Sequence, residues 1–265
     1  MSSNPTIDPV MEHGWTAVPV NADDIFQGKP YLYKPSPLLV KDIHFPSDDP
    51  LVARVQAWVK EQLPWQTYHH SMRVYYFASA ILRQQFPTST VSASTLALAS
   101  LLHDIGTAPA FLTATRLSFD FYGGILALDL LSSGPSSSSS SSSSPSRPFP
   151  VPALGPAPQA QAEAVCEAIL RHQDVGGPGT VTLLGQALQL ATLHDNAGGR
   201  PYLVHAATRD DVHGAFARGG WGGCFARTVR AEVGAKPWAH STHLGGAADV
   251  LANAVEGNVL MAGYE

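Results

Sequence analysis

The segment from Ser94 to Ile105 constrains the fold more than any other part of the chain, because it predicts a helix that is apolar on nearly every side. A helix of this kind must be surrounded by other elements of the fold. It nevertheless ends on two strongly polar side chains, His103 and Asp104. An unsatisfied histidine or aspartate is costly to bury, so both residues need partners. Ordinary hydrogen bonds, an ion pair and a metal ion are the candidates.

Helical spacing of apolar residues recurs along most of the chain. Asp49 is a candidate N-cap with Pro50 at the first helical position. The spacing predicts further helices over about 68–85, 94–105, from 119, over 159–172 and over 180–196. No alternation of strands with helices and no internal repeat is visible. We therefore predict an all-α fold with an N-terminal arm over residues 1–46 and one domain over residues 47–265, irregular from Ala197 with short helices at most.

A serine- and proline-rich tract interrupts this domain at residues 132–158. Its composition buries too little apolar surface to offset the entropy lost on ordering. We expect a mobile loop inserted between two helices, and we assign it no chemistry.

Charge and composition exclude several classes of function. The net charge is −5 and lysine and arginine form no cluster, so nucleic acid is not an expected partner. No apolar run is long enough to span a bilayer, and no secretory signal is visible. The two cysteines, Cys166 and Cys224, lie in segments predicted to be packed or helical, which favours reduced thiols. We expect a soluble cytoplasmic protein that binds neither nucleic acid nor membranes.

Polar residues also lie on the apolar faces of the other predicted helices. His70, His172 and Asp195 each continue an apolar stripe at steps of three or four residues, so each points inward. One inward histidine is usually a core residue bonded to a carbonyl. Several inward polar residues from separate helices suggest a shared partner, and imidazole with carboxylate suits zinc, iron or manganese. Four protein ligands would leave a position for water, as in catalytic sites.

The order of these residues resembles a known pattern. His70, then the adjacent His103 and Asp104, then the distant Asp195 resemble the signature of the HD-domain superfamily of metal-dependent hydrolases, which implies a helical bundle. The surrounding blocks together resemble fungal cyanamide hydratases. They read YHHSMRVYYFASAILRQQFP, LLHDIGTA, TRLSFDFYGGI, EAILRHQDVG, LGQALQLATLHDN and KPWAHSTHL, and the opening GWTAVPV is also similar.

The resemblance implies a metal site and an activity. Its ligands would be His70, His103, Asp104 and Asp195, binding one divalent ion per chain, with zinc favoured and iron as the alternative. In the first block His70 rather than His69 aligns as the ligand. The implied reaction is hydration of cyanamide to urea, in which a metal-bound hydroxide attacks the nitrile carbon. A homo-oligomer is also implied.

Further site residues are assigned from their positions in these blocks. His172 is the candidate for protonating the nitrile nitrogen. The other candidate catalytic residues are Asp120, which would orient the substrate through its amino group, and Thr107, which would bond the metal-bound water. Each also has a structural interpretation, Asp120 as a carboxylate at a helix N-terminus and Thr107 as a backbone hydrogen bond. The candidate substrate-binding residues are Phe121, Asn196 and Trp238. Packing or helix capping would equally explain these three.

Three other functions remain open from the sequence. A phosphohydrolase acting on a nucleoside monophosphate would need cations to hold phosphate. The motifs have few nearby: Arg73, Arg116, Arg171 and Lys236. A hydratase for another small nitrile would use the same residues. A non-catalytic metal-binding or assembly protein is a third possibility, which the presence of all four ligands and His172 argues against.

Overall fold

The computed structural model describes residues 10–133, 152, 154–245 and 248–265. Its helices are α1 (Ala22–Phe26), α2 (Pro50–Gln62), α3 (Trp65–Gln85), α4 (Ala93–Leu102), α5 (Pro109–Leu112), α6 (Phe119–Ser132), α7 (Gln159–Leu170), α8 (Leu183–Ala197), α9 (Ala206–Ala215), α10 (Trp221–Ala235) and α11 (Ala248–Glu256). Two short strands, β1 (Ala17–Pro19) and β2 (Thr180–Thr182), pair antiparallel with Ala17 opposite Thr182. The predicted all-α fold is confirmed.

The predicted start of the first long helix is also observed. The Asp49 carboxylate accepts hydrogen bonds from the backbone nitrogens of Leu51, at 2.8 Å, and Val52, and Pro50 occupies the first turn. These bonds satisfy amide groups that have no partner within the helix.

α4 lies at the centre of the helical bundle. It packs against α2, α3 and α7, and every residue from Thr95 to Leu102 is buried. Full burial of a leucine such as Leu98 or Leu101 contributes about 1.5–3 kcal/mol relative to an exposed one. The prediction of a central helix is therefore confirmed, and the chain emerging from its end lies deep inside the molecule.

α4 ends earlier than its apolar pattern predicts. The helix stops at Leu102, so His103 and Asp104 lie in a turn that leads into a 3₁₀ helix over Ile105–Thr107. The Asp104 carbonyl accepts both from the Thr107 hydroxyl, at 2.6 Å, and from the Thr107 amide, at 2.9 Å, which favours the tighter winding. Sequence periodicity cannot locate this end, because the residues on both sides of it are equally buried.

The prediction of an irregular region after Ala197 is wrong. α10 has 15 residues and buries Trp221, Phe225 and Val229 at four-residue spacing against neighbouring elements. One of the glycines that suggested irregular structure, Gly222, has a packing role instead. A Cβ on Gly222 would lie 3.2 Å from the carbonyl oxygen of Val255, so this glycine lets α10 and α11 approach closely.

The described part of the predicted arm carries short elements that pack on the helices. Phe26 at the end of α1 is fully buried, and Ile43 is 2% exposed. The amides of Leu32 and Tyr33 both donate to Oε1 of Gln85 in α3, which fastens this part of the chain to the bundle.

Most of the predicted mobile loop at 132–158, namely residues 134–151 and 153, lies outside the described residues. The end of the tract, residues 154–158, packs against the end of α6, unlike a mobile loop. Leu154 is buried, and the amides of Leu154 and Ala157 donate to the carbonyls of Leu130 and Leu131. Among the described helices, none combines the length and apolar character that a bilayer crossing requires.

Candidate active site

Two imidazoles and one carboxylate converge at the end of α4. The Nε2 atoms of His70, from α3, and His103 are 3.2 Å apart. Oδ2 of Asp104 lies 3.3 Å from Nε2 of His103 and 3.6 Å from Nε2 of His70. All three side chains are buried, and their ligand atoms lie within 4.8 Å of one another.

Hydrogen bonds at the far side of each ring determine which atoms face this centre. Nδ1 of His70 donates to Asp195, at 2.6 Å, and Nδ1 of His103 donates to the Ser100 carbonyl, at 2.8 Å. In the neutral rings both Nε2 atoms therefore present lone pairs. Oδ2 of Asp104 has no hydrogen-bond partner among the described residues. Three acceptors facing one point fit a divalent cation, which would satisfy them together.

The electrostatics favour the ligating forms of His70 and Asp104, whereas they favour protonation of His103. Burial is the main cause that lowers the pKa of His70 to about 4, so this imidazole is neutral at pH 7. Burial opposes ionisation of Asp104, but the neighbouring imidazoles, His103 first, lower its pKa to about 2. Burial also lowers the pKa of His103, but Asp104 outweighs this effect and the net direction is upward.

Asp195, the fourth predicted ligand, is buried but does not belong to this group of ligand atoms. Its carboxylate lies behind His70 and accepts from Nε and Nη2 of Arg73 and from Nη1 of Arg218, the last at 2.8 Å. Burial alone would raise the pKa of Asp195, but the two guanidinium groups hold it well below its ordinary value. In this structure Asp195 thus fixes the orientation and tautomer of His70.

A cavity of about 40 Å³ adjoins the centre. Its polar wall contains His103, Asp104, His172, Gln173, Thr192 and Asn196. Its apolar wall contains Val175, Leu193, Ala197, Phe225, Leu244 and Leu251. No lysine or arginine among the described residues lines it. The cavity offers room for about three water-sized groups.

His172 is presented to this cavity with one nitrogen available. Its Nδ1 donates to the Ile169 carbonyl at 2.7 Å, which leaves Nε2 as the free acceptor. Burial, together with His103, lowers the pKa of His172, so the ring is neutral near pH 7.

Asp120 forms a pair with His240 beside the cavity. The carboxylate is fully buried at the start of α6 and accepts from Nδ1 of His240 and from the amide of Phe121. Glu232 of α10 connects the two chain segments that carry this pair. Its carboxylate accepts from the amide of Phe119, next to Asp120, at 2.6 Å and from the hydroxyl of Ser241, next to His240, at 2.8 Å. Asp120 is thus firmly positioned, but it is not among the residues that line the cavity.

The other predicted residues fall into two groups. Asn196 lines the cavity, with its Oδ1 accepting from the indole of Trp221 at 2.8 Å. Thr107 bonds to the backbone of Asp104, and Phe121 and Trp238 are 38% and 59% exposed and do not line the cavity. His69 points away from the centre and bonds to the Ala217 carbonyl.

The sequence did not indicate several residues that the structure places here. Arg73 and Arg218 clamp Asp195, and Gln173 lines the cavity beside His172. Arg73 follows His70 by three residues and so shares its helix face, which is a usable signal. Arg218 and Gln173 lie outside regular helices, so periodicity could not identify them.

No family model matches the chain. The chain is similar to two proteins of Saccharomyces cerevisiae, cyanamide hydratase DDI2 and cyanamide hydratase DDI3. With each it is 33% identical over 234 residues, which cover 88% of this chain and 92% of the relative.

Proposed function

Because the chain belongs to the cyanamide hydratase family, we propose that it adds water to cyanamide to give urea. The observation that carries the proposal is the cavity beside the His70–His103–Asp104 centre. Its volume of about 40 Å³ suits the linear three-atom frame of cyanamide. It joins an acceptor-rich wall to an apolar wall, as a small polar substrate requires.

The proposal includes one divalent cation, with zinc preferred over iron. His70 and His103 would hold it through Nε2 and Asp104 through Oδ2, with Asp195 keeping His70 in the required tautomer. When bound, such a cation makes water acidic enough to lose a proton near neutral pH.

His172 supplies the proton transfer in this mechanism. Its neutral Nε2 accepts a proton from the attacking water as the oxygen bonds to the nitrile carbon. The same nitrogen then returns the proton to the nitrile nitrogen, which gives the isourea form. Movement of the remaining hydroxyl proton to that nitrogen gives urea, so no proton is gained or lost overall.

The other residues hold substrate or the catalytic groups. Asn196 faces the cavity with an amide nitrogen that can donate to substrate, since its oxygen is bonded to Trp221. Asp120 and Thr107 act indirectly, through His240 and through the backbone of Asp104.

Urea release from cyanamide by the purified protein, measured together with its metal content, tests the proposal. We expect urea formation that a chelator abolishes. His103→Ala should lose both metal and activity, and His172→Ala should keep the metal and lose activity. His69→Ala is the matched control, because this histidine lies next to a ligand but faces away from the centre. Absence of urea from fully metallated protein would refute cyanamide as the substrate.

A further inference from the structure

Gln173 lines the cavity, and it carries a buried acceptor that no group in the described part of the chain satisfies. The residue follows His172 in the turn after α7 and is only 4% exposed. Its Oε1 is buried and has no hydrogen-bond partner among the described residues. The mechanism above does not use this side chain.

The position of this amide is fixed by the turn that carries it. The Gln173 carbonyl accepts from the amide of Val175 at 2.7 Å, and the Arg171 carbonyl accepts from the amide of Asp174 at 3.0 Å. Gln189 of α8 donates to the same Arg171 carbonyl at 2.8 Å. A side chain on such a braced turn is suited to fix the orientation of a small ligand.

A buried acceptor of this kind indicates a donor in the cavity. An unpaired buried amide oxygen is unfavourable, whereas an apolar side chain of the same shape would cost little there. Cyanamide carries N–H groups on the nitrogen next to its nitrile carbon, and these are donors of the required kind.

We propose that Oε1 of Gln173 accepts a hydrogen bond from the amino group of the substrate, so that Gln173 selects nitriles that bear an N–H group over alkyl nitriles. This inference rests on the proposed function. Acetonitrile has nearly the same linear frame, with a methyl group in place of the amino group. It would leave Oε1 unpaired, and sites built around a substrate hydrogen bond reject analogues that lack it.

The test compares Gln173→Met with Gln161→Met. Gln161, near the start of α7, is also a buried glutamine, but it donates to Thr95 and lies outside the cavity lining. For each protein, kcat/KM for cyanamide, inhibition by acetonitrile and metal content are measured. Gln173→Met should lower kcat/KM for cyanamide by about 10- to 100-fold, the range for leaving a buried polar group unpaired. It should keep its metal and bind acetonitrile at least as tightly as the unchanged protein does.

Two outcomes would overturn the inference. One is a kcat/KM for cyanamide in Gln173→Met that matches that of Gln161→Met, which would mean that Gln173 contacts only water. The other is an equal loss of cyanamide turnover and acetonitrile binding, which would make Gln173 a wall residue without selectivity. The unchanged protein provides a further test without any variant. The inhibition constant of acetonitrile should be at least about tenfold higher than the dissociation constant of cyanamide. If the unchanged protein produces no urea, the proposed function fails instead.

Discussion

At the scale of single residues, Asp195 is where several buried charged groups meet. Its carboxylate contacts two guanidinium groups and the imidazole of His70, all of them fully buried, and Nε2 of His213 lies 3.6 Å away. Arg218 is further paired with Glu265 at 2.6 Å, so the cluster holds two cations and two anions. The cluster is stable because each buried charge has a partner of opposite sign. Removal of one member leaves a buried charge uncompensated, which is unfavourable.

Asp195→Ala should therefore destabilise the protein by about 3–5 kcal/mol, since Arg73 would remain buried without its counter-charge and Arg218 would keep only its pair with Glu265. Denaturant unfolding of chelator-treated protein measures this effect apart from metal binding. Asp48→Ala is the control, because that carboxylate is exposed and should change stability by less than about 0.5 kcal/mol. Similar stabilities for the two variants would contradict the burial argument.

The Asp120–His240 pair gives a pH-dependent prediction. The hydrogen bond that His240 donates to Asp120 raises the pKa of His240 above its ordinary value. The stability that protonation of His240 provides is present below the unfolded pKa of about 6.5 and is lost as the pH rises through the higher folded pKa. Asp120→Asn should thus lower the melting temperature more near pH 6 than near pH 9.

Melting curves of the two proteins with a chelator present provide the measurement, because loss of metal then contributes equally to both. The side-chain oxygen that remains in Asp120→Asn can still accept from the Phe121 backbone, as the carboxylate does. A difference in melting temperature that does not change with pH would contradict the role of this pair.

At the scale of elements, the junction between the end of α4 and the start of α6 positions the centre. A Cβ placed on Gly106 would lie 2.0 Å from the carbonyl oxygen of Phe119. The turn that carries Asp104 therefore touches the backbone of α6 directly. Only glycine allows this contact without a shift of one element.

Gly106→Ala should push these two elements apart, destabilise the protein by about 1–3 kcal/mol and reduce activity. Gly123→Ala is the matched control, because its Cβ would meet nothing nearer than 3.4 Å and alanine favours the helix by up to about 1 kcal/mol. Denaturant unfolding measures the free energy of unfolding of both variants. Equal changes in this free energy would argue against a close contact at Gly106.

At the scale of the whole molecule, the cavity depends on elements that are far apart in the chain. Its walls come from the turns after α4 and α7, from α8 and α10, and from Leu244 and Leu251 near the end of the chain. These elements close a space too small for a nucleotide. Two of the arginines near the motifs already have carboxylate partners, since Arg73 pairs with Asp195 and Arg171 with Asp174.

A nucleoside monophosphate such as AMP should accordingly neither release phosphate nor inhibit urea formation at millimolar concentration. Phosphate release and competition assays on the metal-loaded protein measure both effects. Phosphate release that stops with a chelator would favour the phosphohydrolase interpretation instead.

The sequence by itself determined the helical fold, the central position of α4 and the inward direction of His70, His172 and Asp195. Each follows from a repeat of three or four residues, which is a local property of the chain. Local pattern was insufficient where packing decided the outcome. Glycine content predicted irregular structure after Ala197, yet this segment contains α10, in which Gly222 permits close contact with α11.

Only the tertiary structure decided which inward residues share a centre. His70, His103 and Asp104 meet at one point, whereas Asp195 is directed to two arginines, one of them from a loop that no periodicity identifies. The cavity and its unpaired Gln173 amide likewise arise from distant segments. Periodicity gives the direction of a side chain from its own helix, but the partner it meets depends on how the helices pack.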